Sequence, residues 1–294
     1  MLSYSRPVER CRALLGTFVR IRVCGLAPER ADVAIDAAFA EIARIHSLMS
    51  FHEYGSDISR LNRDAHTHPV AVDSRTHEVL CRSLQLASES DGAFDVTVAQ
   101  TLVRRGVLPQ PKGAPPPDDF ADWRDIECLS NLRVRFHRPL WIDLGGIAKG
   151  YAVDRAIEVL MTFSPIQAVV NAGGDLRVAG SKSERVLLTD DIFEPGQTAM
   201  IEIQDGAVAS SSGRMHGRTY RISPDAHVDS CHGRKTHPRC FVSVTAPRCM
   251  DADALTKVVM AKGAQSRAML AGYAARSFVY AKPIGWRQFS GFNS

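Results

Sequence analysis

The residues best equipped for chemistry cluster in one run, Trp141 to Leu160, WIDLGGIAKGYAVDRAIEVL. Asp143 supplies a carboxylate, Gly145 and Gly146 free the backbone for positive φ or close approach to a ligand, and Lys149 adds a full positive charge. Val153, Ile157, Leu160 and Met161 then recur at helical spacing. The spacing predicts a short strand over Trp141–Leu144, a glycine turn, and a helix with Lys149 in its first turn. A helix start offers unpaired N–H groups and partial positive charge, which suits a phosphate. Carboxylate, glycines and lysine together point to an anionic-ligand site, with room for a metal. The same residues would also make an ordinary β–α turn with a solvated lysine, because short glycine motifs carry little information alone.

Other chemistry-bearing residues are less sharply grouped. GAFDVTVA, Gly92 to Ala99, is a glycine turn holding an aromatic and Asp95, which would equally serve as a buried Phe94 beside a capping carboxylate. AGGDLRVAG carries a second glycine turn with a carboxylate at Asp175. Ser210 to Gly213 reads as a small-residue turn beside Arg214, Arg218 and Arg221, a basic loop of the kind that usually faces water. Cys231, His232, His237 and Cys240 have the makings of a metal clip, but the spacing fits no common zinc pattern closely.

Several elements must hold these residues in place. Thr17 to Cys24 alternates, with Val19, Ile21 and Val23 facing one way and Phe18, Arg20 and Arg22 the other: a half-buried strand. Glu29 to Met49 is a helix striped by Ile35, Phe39, Ile42, Ile45 and Met49. Ser50 to Asn62 is a polar turn opening a short helix that Ser56 or Asp57 would cap. Arg75 to Ser90 is a further helix, with Val79, Leu80, Leu84 and Ala87 inward, stopping at Asp91-Gly92. Pro109 to Asp119 holds five of the fifteen prolines and reads as an extended surface loop. Strands are expected at Leu132–Phe136, Leu140–Leu144, Ala168–Asn171, Met200–Ile203, Ala207–Ala209 and Val242–Val244. A helix is expected over Ala252–Ala261, with Leu255, Val258 and Val259 inward, and a closing strand over Arg276–Lys282. Helices and strands are interspersed without strict alternation, so the class is α+β with mixed or antiparallel sheets flanked by helices.

Composition excludes some functions. The chain has 294 residues, 45% hydrophobic and 23% charged, and its 36 basic and 32 acidic residues leave a net charge of +4. That balance does not support a nucleic-acid partner. Seven scattered cysteines argue against a disulfide framework and for a reducing compartment. No run approaches the roughly 18 apolar residues of a membrane span. The charged start, MLSYSRPVERCRALLGT, lacks a signal-peptide apolar core. A cytoplasmic location is expected.

The ordered motifs, taken together, resemble the ApbE family, FAD:protein FMN transferases. The resemblance runs from about Leu15 to Tyr280, so residues 1–294 are read as a single domain. Its carriers are Leu15-Gly16-Thr17, Met49 to Asn62, GAFDVTV, IDLGGIAKGYAVD, NAGGDL, AVASSSG and ADAL. It implies Mg2+-dependent transfer of FMN from FAD to a Thr or Ser hydroxyl of an acceptor redox protein, with release of AMP. It further implies that Leu15, Met49, His52, Ala93, Phe94, Asp95, Asp143, Lys149 and Ile222 bind the dinucleotide. Gly146, Asp253 and Thr256 or Lys257 would meet the metal. Asp143, Lys149 and Asp253 would be the reactive core.

The chain departs from the family pattern in four places. His52, beside Phe51, replaces an aromatic; Val96 replaces a proline; Lys257 replaces the metal-binding threonine, with Thr256 one place early. Tyr220-Arg221-Ile222-Ser223-Pro224 stands where the family has His-Ile-x-Asp-Pro, so the histidine linked to activating the acceptor is missing. His216 and His227 are nearby in sequence. General-base help is worth about 100- to 10,000-fold, so its loss would slow a reaction without removing positioning. Two further readings stay open: a non-catalytic FAD-binding protein, and an Mg2+-dependent FAD pyrophosphatase using water.

Overall fold

The computed structural model describes residues 6–190, 193, 196–212, 240–281 and 284–290. Among them, the chain runs β1 (Val8–Leu14), β2 (Thr17–Cys24), α1 (Pro28–Met49), α2 (Asp57–Asp64), β3 (Val70–Ala71), α3 (Ser74–Glu89), α4 (Ala99–Arg104), β4 (Ile126–Leu129) and β5 (Arg133–Phe136). It continues α5 (Ala148–Met161), β6 (Gln167–Ala172), β7 (Asp175–Gly180), β8 (Glu184–Leu188), β9 (Ala199–Ile203) and β10 (Gly206–Ser212). The last described elements are β11 (Cys240–Ala246), α6 (Cys249–Lys262), α7 (Arg267–Gly272), β12 (Arg276–Ala281) and β13 (Gly285–Ser290).

Eight strands form one sheet in the order β1-β2-β6-β7-β10-β11-β12-β13. Every described pairing is antiparallel. Of the two options open in the sequence, the antiparallel one holds. The alternation of strand side chains explains how the sheet has two covered faces. Val19, Ile21, Ala168, Val170, Ala207, Ala209, Val242 and Val244 point into the main core, against α1, α5 and α6. Their neighbours Val169, Val208 and Phe241 point the other way, into a second apolar cluster that the β8–β9 pair covers with Leu188 and Ile203. That double burial is why β6 reads as a continuous apolar run.

The stripe of α1 is buried at Ile35, Phe39, Ile42, Ile45 and Met49, and Ser56 caps α2 by accepting from Ser59 N at 3.0 Å. Three expectations are corrected. Leu140–Leu144 is extended but not a strand: the Asn62 side-chain amide takes both backbone groups of Ile142, donating to its carbonyl at 3.1 Å and accepting from its N–H at 2.8 Å. Ser210–Ser212 is not a turn but the end of β10. A strand follows Arg276–Ala281 where the sequence suggested an end. Gly213, Arg214, His216, Arg218, Tyr220, Arg221, Ile222, Ser223, His227, Cys231, His232 and His237 lie outside the described residues.

Candidate functional site

The site grows from the place where α5 meets α6. Gly150, in the first turns of α5, has no side chain, and a Cβ there would stand 2.3 Å from the Cys249 carbonyl oxygen. Only glycine lets the two helices approach this closely. The closeness brings Asp253 of α6 onto α5, where its Oδ2 accepts from Gly150 N at 3.2 Å. The start of α6 has no cap of its own. Instead, buried Asp154 of α5 accepts from Cys249 N and Met250 N, each at 2.9 Å, and is itself paired with Arg177 of β7 at 2.7 Å.

Four charges follow from this arrangement. Lys149 Nζ donates to Asp175 Oδ2 at 2.8 Å, and Lys257 pairs with Asp253 Oδ1 while also donating to the Asp253 carbonyl at 3.1 Å. Both carboxylates are buried, Asp175 fully. Burial, together with the Asp253 charge, pushes Asp175 up to about 6, against the pull of Lys149. Burial raises Asp253 less than the Lys257 and Lys149 ammoniums lower it, so it stays below its ordinary value. Burial opposes charge on Lys149 too, but Asp175 and Asp253 hold it above its ordinary range.

Two cavities meet at this wall. A cleft of about 850 Å³ is lined by Gly145, Lys149, Lys257, the Asn171–Gly174 turn, Ser210–Ser212 and the β8 edge. A smaller pocket of about 290 Å³ is lined by Leu15, Ile45, Met49, Phe51, His52, Asp143, Gly145 and Lys149. Gly145 and Lys149 belong to both. Asp143 accepts from Gly145 N at 3.0 Å, and burial pushes its carboxyl above the usual range despite that bond and the nearby His52.

The predicted residues thus divide. Lys149 lies beside Asp253 and shares the smaller pocket with Asp143, which Leu15, Met49 and His52 also line. Gly146 stands beside Lys257 and Phe94, each 3.5 Å from the position of an added Cβ. Ala93 and Phe94 are buried behind the turn, and Asp95 caps the next turn through Thr97 N at 2.8 Å. Thr256 is fully buried, bonded to the Asp253 carbonyl at 2.7 Å and to Ser211 at 2.8 Å. The start of α5 is less open than expected. Ala148 N already donates to Leu144 O at 2.9 Å and Gly150 N to Asp253, so positive charge comes chiefly from the two lysines. Asp175 is the site residue that the sequence marked only as part of a turn. Its pairing partner is 26 positions away, and only the β6–β7 turn brings it to Lys149.

A metal has one open hard ligand here: Asp175 Oδ1 is buried and lacks a hydrogen-bond partner. On the Asp253 side, Lys257 already supplies a positive charge. The residues fit a cation, then, with Lys257 competing for one of its carboxylates.

Known proteins resemble this chain along most of its length. The chain is 25% identical over 288 residues to an FAD:protein FMN transferase of Treponema pallidum (strain Nichols), covering 88% of this chain and 79% of that one. It is 28% identical over 264 residues to an enzyme of the same name from Chlamydia pneumoniae, covering 85% and 80%. The ApbE protein of Thermotoga maritima superposes with a TM-score of 0.78 at 25% identity over 98% of both chains. The flavin transferase ApbE of Vibrio cholerae superposes at 0.81 and 21% identity, over 98% of this chain and 97% of that one, a likeness of fold. With residues 15–277 matching the family model as well, the chain belongs to the ApbE family.

Proposed function

We propose that this chain is an FAD:protein FMN transferase: it passes the FMN half of FAD to a threonine or serine hydroxyl of an acceptor flavoprotein and releases AMP. The observation that carries this reading is the sharing of Lys149 between two cavities. A ligand long enough to enter both must lay its middle across an ammonium, and FAD has a pyrophosphate there. The names of the relatives support the same chemistry.

In the transfer, the acceptor oxygen bonds to the FMN-side phosphorus, the bond from that phosphorus to the AMP oxygen breaks, and the hydroxyl proton leaves to solvent. Lys149 and Lys257 hold the negative charge of the bridge, and Asp175 and Asp253 fix the two ammoniums in place beforehand. Asp143 accepts a ring N–H in the smaller pocket. Mg2+ would be held by Asp175 and Asp253, with the Gly146 carbonyl as the family resemblance suggests. When bound, it neutralises phosphate charge. Because Lys257 already provides part of that charge, the dependence on Mg2+ is weak.

Incubation with FAD and Mg2+, with and without an acceptor, tests the reading. AMP that appears only with acceptor, together with an FMN mass increment on it, is the expected result. AMP without acceptor means hydrolysis, and retained FAD without AMP means binding alone; either overturns the transferase reading.

A further inference from the structure

A second cluster of ligating side chains lies on elements that line neither cavity. His77 and Cys81 stand one turn apart on α3, and Cys128 reaches them from β4. A ring nitrogen and the two sulfurs all lie within 4.8 Å of one another, and all three residues are half-buried.

The imidazole is oriented for metal binding. Its Nε2 lies 3.0 Å from the Leu129 carbonyl, which can only accept, so Nε2 carries the hydrogen. The bare Nδ1 is then turned to Cys81 Sγ at 3.6 Å. A backbone carbonyl fixing the far ring nitrogen is the usual support for a metal-bound histidine. The spacing also fits. Zinc bonds of about 2.3 Å to sulfur and about 2.0–2.1 Å to nitrogen, at tetrahedral angles, place N and S about 3.6 Å apart.

We propose that His77, Cys81 and Cys128 bind a zinc ion, with a solvent molecule as fourth ligand, clamping α3 to the three-stranded sheet β3-β5-β4. Two thiols and an imidazole select a soft, tetrahedral divalent cation over Mg2+, which requires hard oxygens. Binding exchanges the two thiol protons for the metal, so zinc uptake releases protons.

The test uses the whole protein, reduced and stripped with a chelator, then titrated with Co2+ as a spectroscopic stand-in. One equivalent should give the absorption of four-coordinate cobalt with a thiolate charge-transfer band. Cys81→Ser, Cys128→Ser and His77→Gln should each lose it, while the double variant Cys231→Ser/Cys240→Ser should keep it. A band that survives Cys81→Ser, or vanishes only in the double variant, overturns the proposal. A readout independent of variants is alkylation of the wild type: zinc should shield Cys81 and Cys128 from the reagent. Unshielded thiols, or a Cys81–Cys128 disulfide in freshly isolated protein that takes up no zinc, overturn it equally.

Discussion

The two cavities that meet at Lys149 treat the same residue type in opposite ways. Behind the larger cleft the buried Asp175 and Asp253 each hold a lysine that lines it. In the smaller pocket Asp143 has the Gly145 N–H and, among the described residues, no cation at hydrogen-bond distance. The first arrangement is finished before any ligand arrives: charges are matched, and the ammoniums are aimed and need not reorganise. The second is unfinished: beyond the Gly145 N–H, a carboxylate among Leu15, Ile45, Met49 and Phe51 is left to gain a further partner from a ligand. One side is suited to holding charge through a reaction and the other to choosing what binds.

Breaking the finished side should cost most. Lys149→Ala leaves Asp175 buried without its cation, and AMP formation should fall about 100- to 1,000-fold, with about 3 kcal/mol lost from the urea unfolding free energy. Near-normal turnover would end the distinction between the two sides. Gly150→Ala sets a Cβ against the Cys249 carbonyl and forces α5 and α6 apart. A shift of about 1 Å in Asp253 should lower turnover up to about 100-fold, and the melting temperature should fall with it.

On the unfinished side, Asp143→Asn should weaken FAD binding about tenfold, the equivalent of one hydrogen bond, with turnover at saturating FAD almost unchanged. Fluorescence titration and steady-state rates separate the two, and a fall in turnover alone would put Asp143 in the chemistry. Lys257→Thr should raise the dependence on Mg2+ severalfold, read from turnover against Mg2+ concentration. Superimposable curves would show that Lys257 supplies none of the charge.

The smallest effect on transfer is expected at Asp95, which lines neither cavity. Burial lifts its carboxyl to about 6 in the folded chain from 3.8, against the pull of its Thr97 bonds. Between those values the folded state holds the extra proton, so stability falls as pH rises through the window and levels off above it. The slope is worth at most about 3 kcal/mol. Asp95→Asn should flatten it in urea melts while leaving transfer at neutral pH intact; an unchanged slope would place the titration elsewhere.

What could be read from the sequence follows from where the information sits. The alternation of Thr17–Cys24 and the stripe of Ile35 to Met49 are local records of a buried face, and both elements appear within a residue of expectation. Val8–Leu14 escaped notice because its arginines 10 and 12 lie along an edge strand and pair with Asp32 and Asp36 of α1. Leu140–Leu144 misled because its apolar run is real, but Asn62, some 80 positions away, supplies the hydrogen bonds a strand partner would have supplied. The glycine turn and Lys149 were legible as a motif. The pairing of Lys149 with Asp175 was not, because no local pattern encodes a contact made through another sheet turn.

The cap that Asp154 lends to α6 bears on how the molecule matures. Asp154 and the backbone groups it binds at 249 and 250 are separated by 95 and 96 positions. A nascent chain that has emerged only as far as β10 carries an interior aspartate whose backbone partners have yet to be made. The start of α6 therefore gains its cap only late in synthesis, and a chain cut short of α6 should leave Asp154 with Arg177 alone.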